Sequence, residues 1–180
     1  MAYKTIERQV LYAGKKVRME VHHLEDDEGQ RLIKEVVVHP GAVVVLPFLD
    51  ERTILLIRNK RHAIGQILLE LPAGTLDKGE APMNAAGREL QEETGYLAAR
   101  MIPIAAFFAS PGILTERMYA FAAYDLQKTQ MALEEGEEIE VVPAGLDEAI
   151  NMIRTGEICD SKTIATLLMH DRLGLGRKEQ

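Results

Sequence analysis

The chain has one cysteine, Cys159, among its 180 residues. An internal disulfide is therefore excluded, and the composition fits a reducing compartment. A basic excess is missing too: 28 Asp and Glu outweigh 21 Lys and Arg, giving a formal net charge of −7. With no Lys/Arg stripe, binding a nucleic-acid backbone is not an expected task. The apolar runs are too short to span a bilayer and no leader-like segment opens the chain, so a cytoplasmic protein with no membrane partner is expected. Internal repeats and low-complexity tracts are lacking as well. What remains is long enough for one domain with a proper core and a small extension.

The stretch from Leu71 to Tyr96 carries the most chemistry. Leu71-Pro72-Ala73-Gly74 and Thr75–Glu80 read as a loop, with Gly74 and Gly79 as breakers. A helix follows, opened by Pro82 and closed by Gly95. On it Glu89, Glu92 and Glu93 lie three and four residues apart and share one face. Met83, Ala86 and Leu90 are expected on an inward face. Like charges on one stripe oppose helix formation, and the helix C-terminus is the unfavourable end for anions. A hard divalent cation would offset both, since Mg²⁺ or Mn²⁺ takes carboxylate oxygens. The plain alternative is a solvated acidic face paired with Arg88.

Upstream, Lys4 to Tyr12, Lys15 to His23 and Leu32 to His39 read as strands of a small antiparallel sheet. His22 and His23, being adjacent on a strand, point to opposite faces and are not expected to chelate one ion. Ala42 to Phe48 and Thr53 to Ile57 are continuous apolar runs, as in strands buried on both sides. A basic cluster, Arg58 to His62, leads on to Glu70. Arg61 is the candidate phosphate ligand, because a guanidinium fork matches phosphate oxygens. Beyond the helix come strands Ile102 to Phe108 and Met118 to Tyr124, joined through Ser110-Pro111-Gly112 and Glu116. An acidic segment, Glu134 to Glu140, leads into a last strand. Two closing helices, Leu146 to Thr155 and Lys162 to Leu173, are expected, the second capped by Asp160 or Ser161. Cys159 is expected as buried packing.

Gly74, five residues, Glu80, seven residues, then Arg88-Glu89-Leu90-Gln91-Glu92-Glu93-Thr94-Gly95 resembles the Nudix box of the Nudix hydrolases. The resemblance implies an α/β/α sandwich with a mixed sheet, here preceded by the N-terminal antiparallel sheet: residues 1–39 as the extension and 40–180 as the hydrolase domain. It implies metal-dependent hydrolysis of a nucleoside diphosphate linked to another moiety. The Ser-Pro-Gly turn with Glu116 is similar to the ADP-ribose pyrophosphatase subgroup, while Asn59-Lys60-Arg61 keeps only the arginine of that subgroup's triplet. The resemblance then places two or more Mg²⁺ ions, or Mn²⁺, on Glu89, Glu92, Glu93 and the Ala73 carbonyl. Arg61, Glu70, Pro111, Gly112 and Glu116 become the substrate-binding set.

Carboxylates that hold cations are poor free bases, so a separate glutamate is expected to activate water. Glu137 is that candidate and Glu138 its rival; with Glu92 and Glu93 they form the expected catalytic set. The implied reaction cuts ADP-ribose to AMP and ribose 5-phosphate. Another nucleoside diphosphate sugar, a GDP- or ADP-hexose, is the alternative substrate, and a non-cutting ADP-ribose sensor the alternative class. A homodimer built through the N-terminal strands is also implied.

Overall fold

β4, Ala42–Pro47, is buried along its whole length, as a strand between two layers has to be. In this computed structural model, which describes residues 2–133 and 135–178, its side chains alternate between two cores. Val43 and Val45 pack with Ala85, Ala86 and Leu90 of α1 (Pro82–Thr94). Val44 and Leu46 face the opposite way, into a cluster with Leu56, Leu71, Ala149 and Leu167. The sequence period of two thus becomes a three-layer packing, with helices on either side of a sheet.

The chain divides into two compact units. One comprises the segment up to Gly41 together with Phe108–Arg117. Its sheet is antiparallel, in the order β1 (Lys4–Ala13), β2 (Arg18–Glu25), β3 (Arg31–Val38). In the same unit Ile113 and Leu114 donate backbone N–H bonds to Ser110 O at 3.2 and 2.9 Å, closing the turn that holds Pro111 and Gly112. The Glu116 carboxylate lies 3.5 Å from His39 Nδ1.

The other unit comprises Ala42–Phe107 and the chain from Met118 onward. It carries an antiparallel sheet in the order β10 (Ile139–Gly145), β5 (Thr53–Arg61), β6 (Gln66–Glu70). The mixed sheet has the order β7 (Ala73–Thr75), β4, β9 (Arg117–Lys128), β8 (Tyr96–Phe108). β4 runs parallel to β9 and antiparallel to β7. Two helices close the chain, α2 (Leu146–Thr155) and α3 (Ser161–Leu173). No helix among the described residues is long and apolar enough to cross a membrane.

Several expectations change in detail. The Ala73-Gly74-Thr75 segment is a short strand rather than loop, because it pairs with β4 through Val44↔Ala73 and Val43↔Gly74. β5 continues through the basic cluster to Arg61. Met83 does not pack inward; it is 46% exposed. The buried stripe of α1 steps by four, Ala86-Leu90-Thr94 beside Ala85-Glu89-Glu93, and Met83 is on neither ladder. Cys159 is exposed, and Ile158 takes the buried position next to it. Glu134 of the acidic segment lies outside the described residues.

α1 ends as expected. Gly95 adopts φ 71°, and its N–H donates to Gln91 O at 2.9 Å. A side chain there would also crowd Met131 and the Thr129 carbonyl. Gly95→Ala is therefore expected to cost about 1–2 kcal/mol, read as a lower urea midpoint at unchanged slope; an unaltered midpoint would show that the cap is not under this constraint.

Candidate active site

The carboxylate ladder of α1 lies against β7, which explains how its acidic groups come to be buried. Glu93 is 3% exposed and Glu89 9%. The Glu93 Oε2 accepts the Ala73 N–H at 2.8 Å, tying helix to strand. Gly74 follows, and a Cβ built on it would overlap the Glu89 carboxylate. Glycine at this position is thus a matter of space: the backbone of β7 and the carboxylate occupy one gap.

Burial of two acids in one place is costly. Burial pushes the Glu93 carboxyl up to about 8; the charges of Glu89 and Glu137 add to the rise, while the Ala73 N–H and Arg61 oppose it. Burial also raises Glu89, with Arg88 opposing and the charges of Glu92 and Glu137 adding. Glu89, Glu93 and Glu137 therefore feel one another, so the acidic segment before β10 is electrostatically part of the site. Glu138 is engaged elsewhere, 3.5 Å from Lys60 Nζ, and Glu140 pairs with Arg58 at 3.1 Å.

Arg88 is the hub on the helix. Its Nη1 donates to Glu89 Oε1 at 2.7 Å and to Glu92 Oε2 at 3.0 Å. Its Nε and Nη2 reach the two oxygens of Glu80 at 3.1 and 3.0 Å, and Nη2 also approaches Thr75 O at 3.3 Å. Bonding to Glu80 is the main reason its guanidinium is held charged, and Arg88 in turn lowers Glu80. Glu80, Glu89 and Glu92 are thereby oriented from a single cation, with Glu92 the most solvated of Arg88's helix partners.

A second cluster stands at Glu70, which is wholly buried. Arg61 grips it as a fork, Nε to Oε1 at 2.8 Å and Nη2 to Oε2. Lys162 of α3 also donates to Oε2 and pairs with Asp160 at 2.9 Å. Asp160 caps α3 through the Thr163 N–H at 3.0 Å, and the Thr163 hydroxyl accepts the Leu71 N–H at 2.9 Å. Burial would raise Asp160, but Lys162 and the Thr163 bonds together hold it below its usual range. The charge of Glu93 acts on Arg61, which links the two clusters.

Of the residues singled out from sequence, Arg61, Glu70, Ala73, Glu89, Glu92, Glu93, Glu137 and Glu138 lie in the second unit, and Pro111, Gly112 and Glu116 in the first. Sequence reasoning missed Lys162 as a partner of Glu70, and Asp160 as the second carboxylate on Lys162. No local signal could reveal the former, since Lys162 and Glu70 are 92 residues apart.

The chain matches the family model of the NUDIX domain over residues 38–167. It belongs to the Nudix family. It is 38% identical over 162 residues to an ADP-ribose pyrophosphatase of Bacillus subtilis, covering 89% of this chain and 88% of that one. It is 37% identical over 163 residues to the methanol dehydrogenase activator of Bacillus methanolicus, with coverage of 89% and 88%. A crystal structure of an ADP compounds hydrolase superposes with a TM-score of 0.85 at 22% identity, covering 96% of this chain and 94% of that one. That likeness establishes the Nudix fold, an α/β architecture with a mixed sheet.

A hard divalent cation can be tested against the donors present. Among the described residues no three acidic, histidine or cysteine groups converge closely enough to enclose an ion. The donor set itself is all oxygen and acidic, and Glu89 and Glu93 are buried with repulsion that Arg88 and Arg61 only partly offset. In hardness and charge these residues suit Mg²⁺ or Mn²⁺.

Unfolded, Glu93 releases its proton near 4.5; folded and free of cations, it keeps it to about 8. Between these values the native state binds the extra proton, so stability falls as pH rises and levels off above about 8. Melting in EDTA from pH 5 to 8.5 is expected to show this decline, and Glu93→Gln to flatten most of it. An equally steep decline in the variant would locate the effect elsewhere.

Proposed function

We propose that this Nudix protein hydrolyses the diphosphate of ADP-ribose with a divalent cation, releasing AMP and ribose 5-phosphate. The observation that carries the reading is the buried, mutually repelling pair Glu89 and Glu93, held beside the Ala73-Gly74 backbone. The name of the Bacillus subtilis relative supports the choice of ADP-ribose. Glu89, Glu93, Glu92 and the Ala73 carbonyl would hold the cation, in more than one copy if all four donors serve. When bound, it would neutralise charge on the diphosphate and on the oxygen that leaves.

The chain's own groups do the rest. Glu137, whose charge reaches both buried glutamates, takes the proton of the attacking water on a carboxylate oxygen. The water oxygen bonds to one phosphorus as the bridging P–O bond breaks. Glu138, whose carboxylate lies 3.5 Å from Lys60 Nζ, is the rival base. Arg61, with Glu70 behind it, presents N–H groups to the diphosphate oxygens. Arg88 touches no substrate and keeps Glu89 and Glu92 in place.

Glu93→Gln is expected to lower kcat by about a hundredfold or more with an unchanged circular dichroism spectrum. Product analysis over ADP-ribose and GDP- and ADP-hexoses identifies the preferred substrate. Near-normal turnover in the variant would overturn the assignment, and a protein that cuts none of these sugars would overturn the reading.

We further propose a homodimer built through the first unit. β1 is an edge strand exposed at every position, and Ile6, Val10, Leu11 and Tyr12 are among its exposed side chains. An open edge this long and apolar requires a cover, and a second copy provides one. The exposed lone cysteine fits a cytoplasmic setting, where such a dimer stays reduced. Light scattering at micromolar concentration is expected to give twice the mass of one chain; a monomer would contradict the proposal.

A further inference from the structure

Lys162 enters from α3, remote in sequence from the carboxylate ladder, yet its ammonium is fixed on two sides. It donates to Glu70 Oε2 and to Asp160 Oδ1, and only 15% of its side chain is exposed. Lys162 and Thr163 together fasten the first turn of α3 to consecutive residues, Glu70 and Leu71, immediately before the Pro72-Ala73-Gly74 segment. An ammonium group this far from water needs full compensation, and Glu70 and Asp160 supply it.

The cluster is charge-balanced: Arg61 and Lys162 face Glu70 and Asp160. Arg61 commits Nε and one Nη to Glu70, and among the described residues its other N–H groups have no partner. Its side chain remains 36% exposed, in contrast to the wholly buried Glu70. A guanidinium held from behind by one edge, with its other edge open, is arranged to receive a second anion. Asp160 already acts electrostatically on Arg61. Without Lys162, that carboxylate would lose its nearest cation and compete for the open edge.

We propose that Lys162 is a positioning residue: by occupying Glu70 and Asp160 it keeps the outward N–H groups of Arg61 free for the substrate diphosphate. The proposal rests on the hydrolysis of ADP-ribose argued above and adds a residue to it. Lys162 does not touch substrate, so its loss weakens binding rather than the chemical step.

Steady-state kinetics on ADP-ribose with Mg²⁺ test this. Lys162→Met is expected to raise KM about tenfold, the scale of one charge-assisted contact, with kcat within about twofold. Lys162→Arg, which retains the cation, should bring KM back to within about threefold of the parent. Lys162→Met added to Arg61→Met should raise KM no further, since the effect runs through Arg61. Lys162→Gln carries the same kinetic expectation as Lys162→Met and replaces it if the latter lacks a cooperative melt. A parental KM in both neutral variants, or a loss of kcat at unchanged KM, would overturn the proposal. A crystal structure of the neutral variant supplies a readout that needs no turnover: Arg61 is expected to swing toward Asp160, and an unmoved Arg61 contradicts the role. If the parent protein leaves ADP-ribose intact, the proposed reaction fails while the crystallographic arm still decides Lys162.

Discussion

The rest of the site depends on burying two carboxylates that repel each other. Glu89 and Glu93 sit on the inward ladder of α1, one turn apart, where apolar residues would have stabilised the helix more. Glu93 retains its proton to about 8 as a consequence. A fold that keeps acids in this condition holds them ready for a positive charge, which a divalent cation, with its preference for oxygen, would supply. The same burial fixes the Ala73 N–H on Glu93 and makes Gly74 necessary beside Glu89.

Around that pair the scaffold distributes its own cations sparingly. Arg88 takes Glu80, Glu89 and Glu92 together, so the helix face is oriented without being fully neutralised. Arg61 is committed to Glu70 on one edge. Both arginines thus lie in the electrostatic reach of the acids while neither forms a direct bond to Glu93 among the described residues. Lys162, through Glu70 and Asp160, connects this balance to the cap of α3. A helix that looks like plain packing by its apolar residues therefore also sets the charge around Glu70 and Arg61.

Local features were the most legible in sequence. Pro82 and Gly95 bounded α1 because helix ends have their own chemistry, and the spacing of Glu89, Glu92 and Glu93 put them on one face. The apolar run of β4 read correctly as a strand buried on both sides. Features that depend on pairing were not legible. Ala73–Thr75 became a strand because β4 was there to bond it, and β5 ran on through Arg58–Arg61 because β10 and β6 flank it. Met83 showed the limit of periodicity, since a one-residue rotation of the stripe separates buried from exposed. The partners of Glu70 were beyond reach for the same reason, being brought in by tertiary packing alone.

The proposed chemistry requires the buried acids to exchange a proton for a cation. The most direct measurement is proton release on adding Mg²⁺ or Mn²⁺ to weakly buffered protein near pH 7, alongside the uptake of the ion. Saturable uptake with release of protons is expected, and much less of both in the Glu93→Gln protein. Uptake with no proton released, or no uptake at all, would contradict that chemistry.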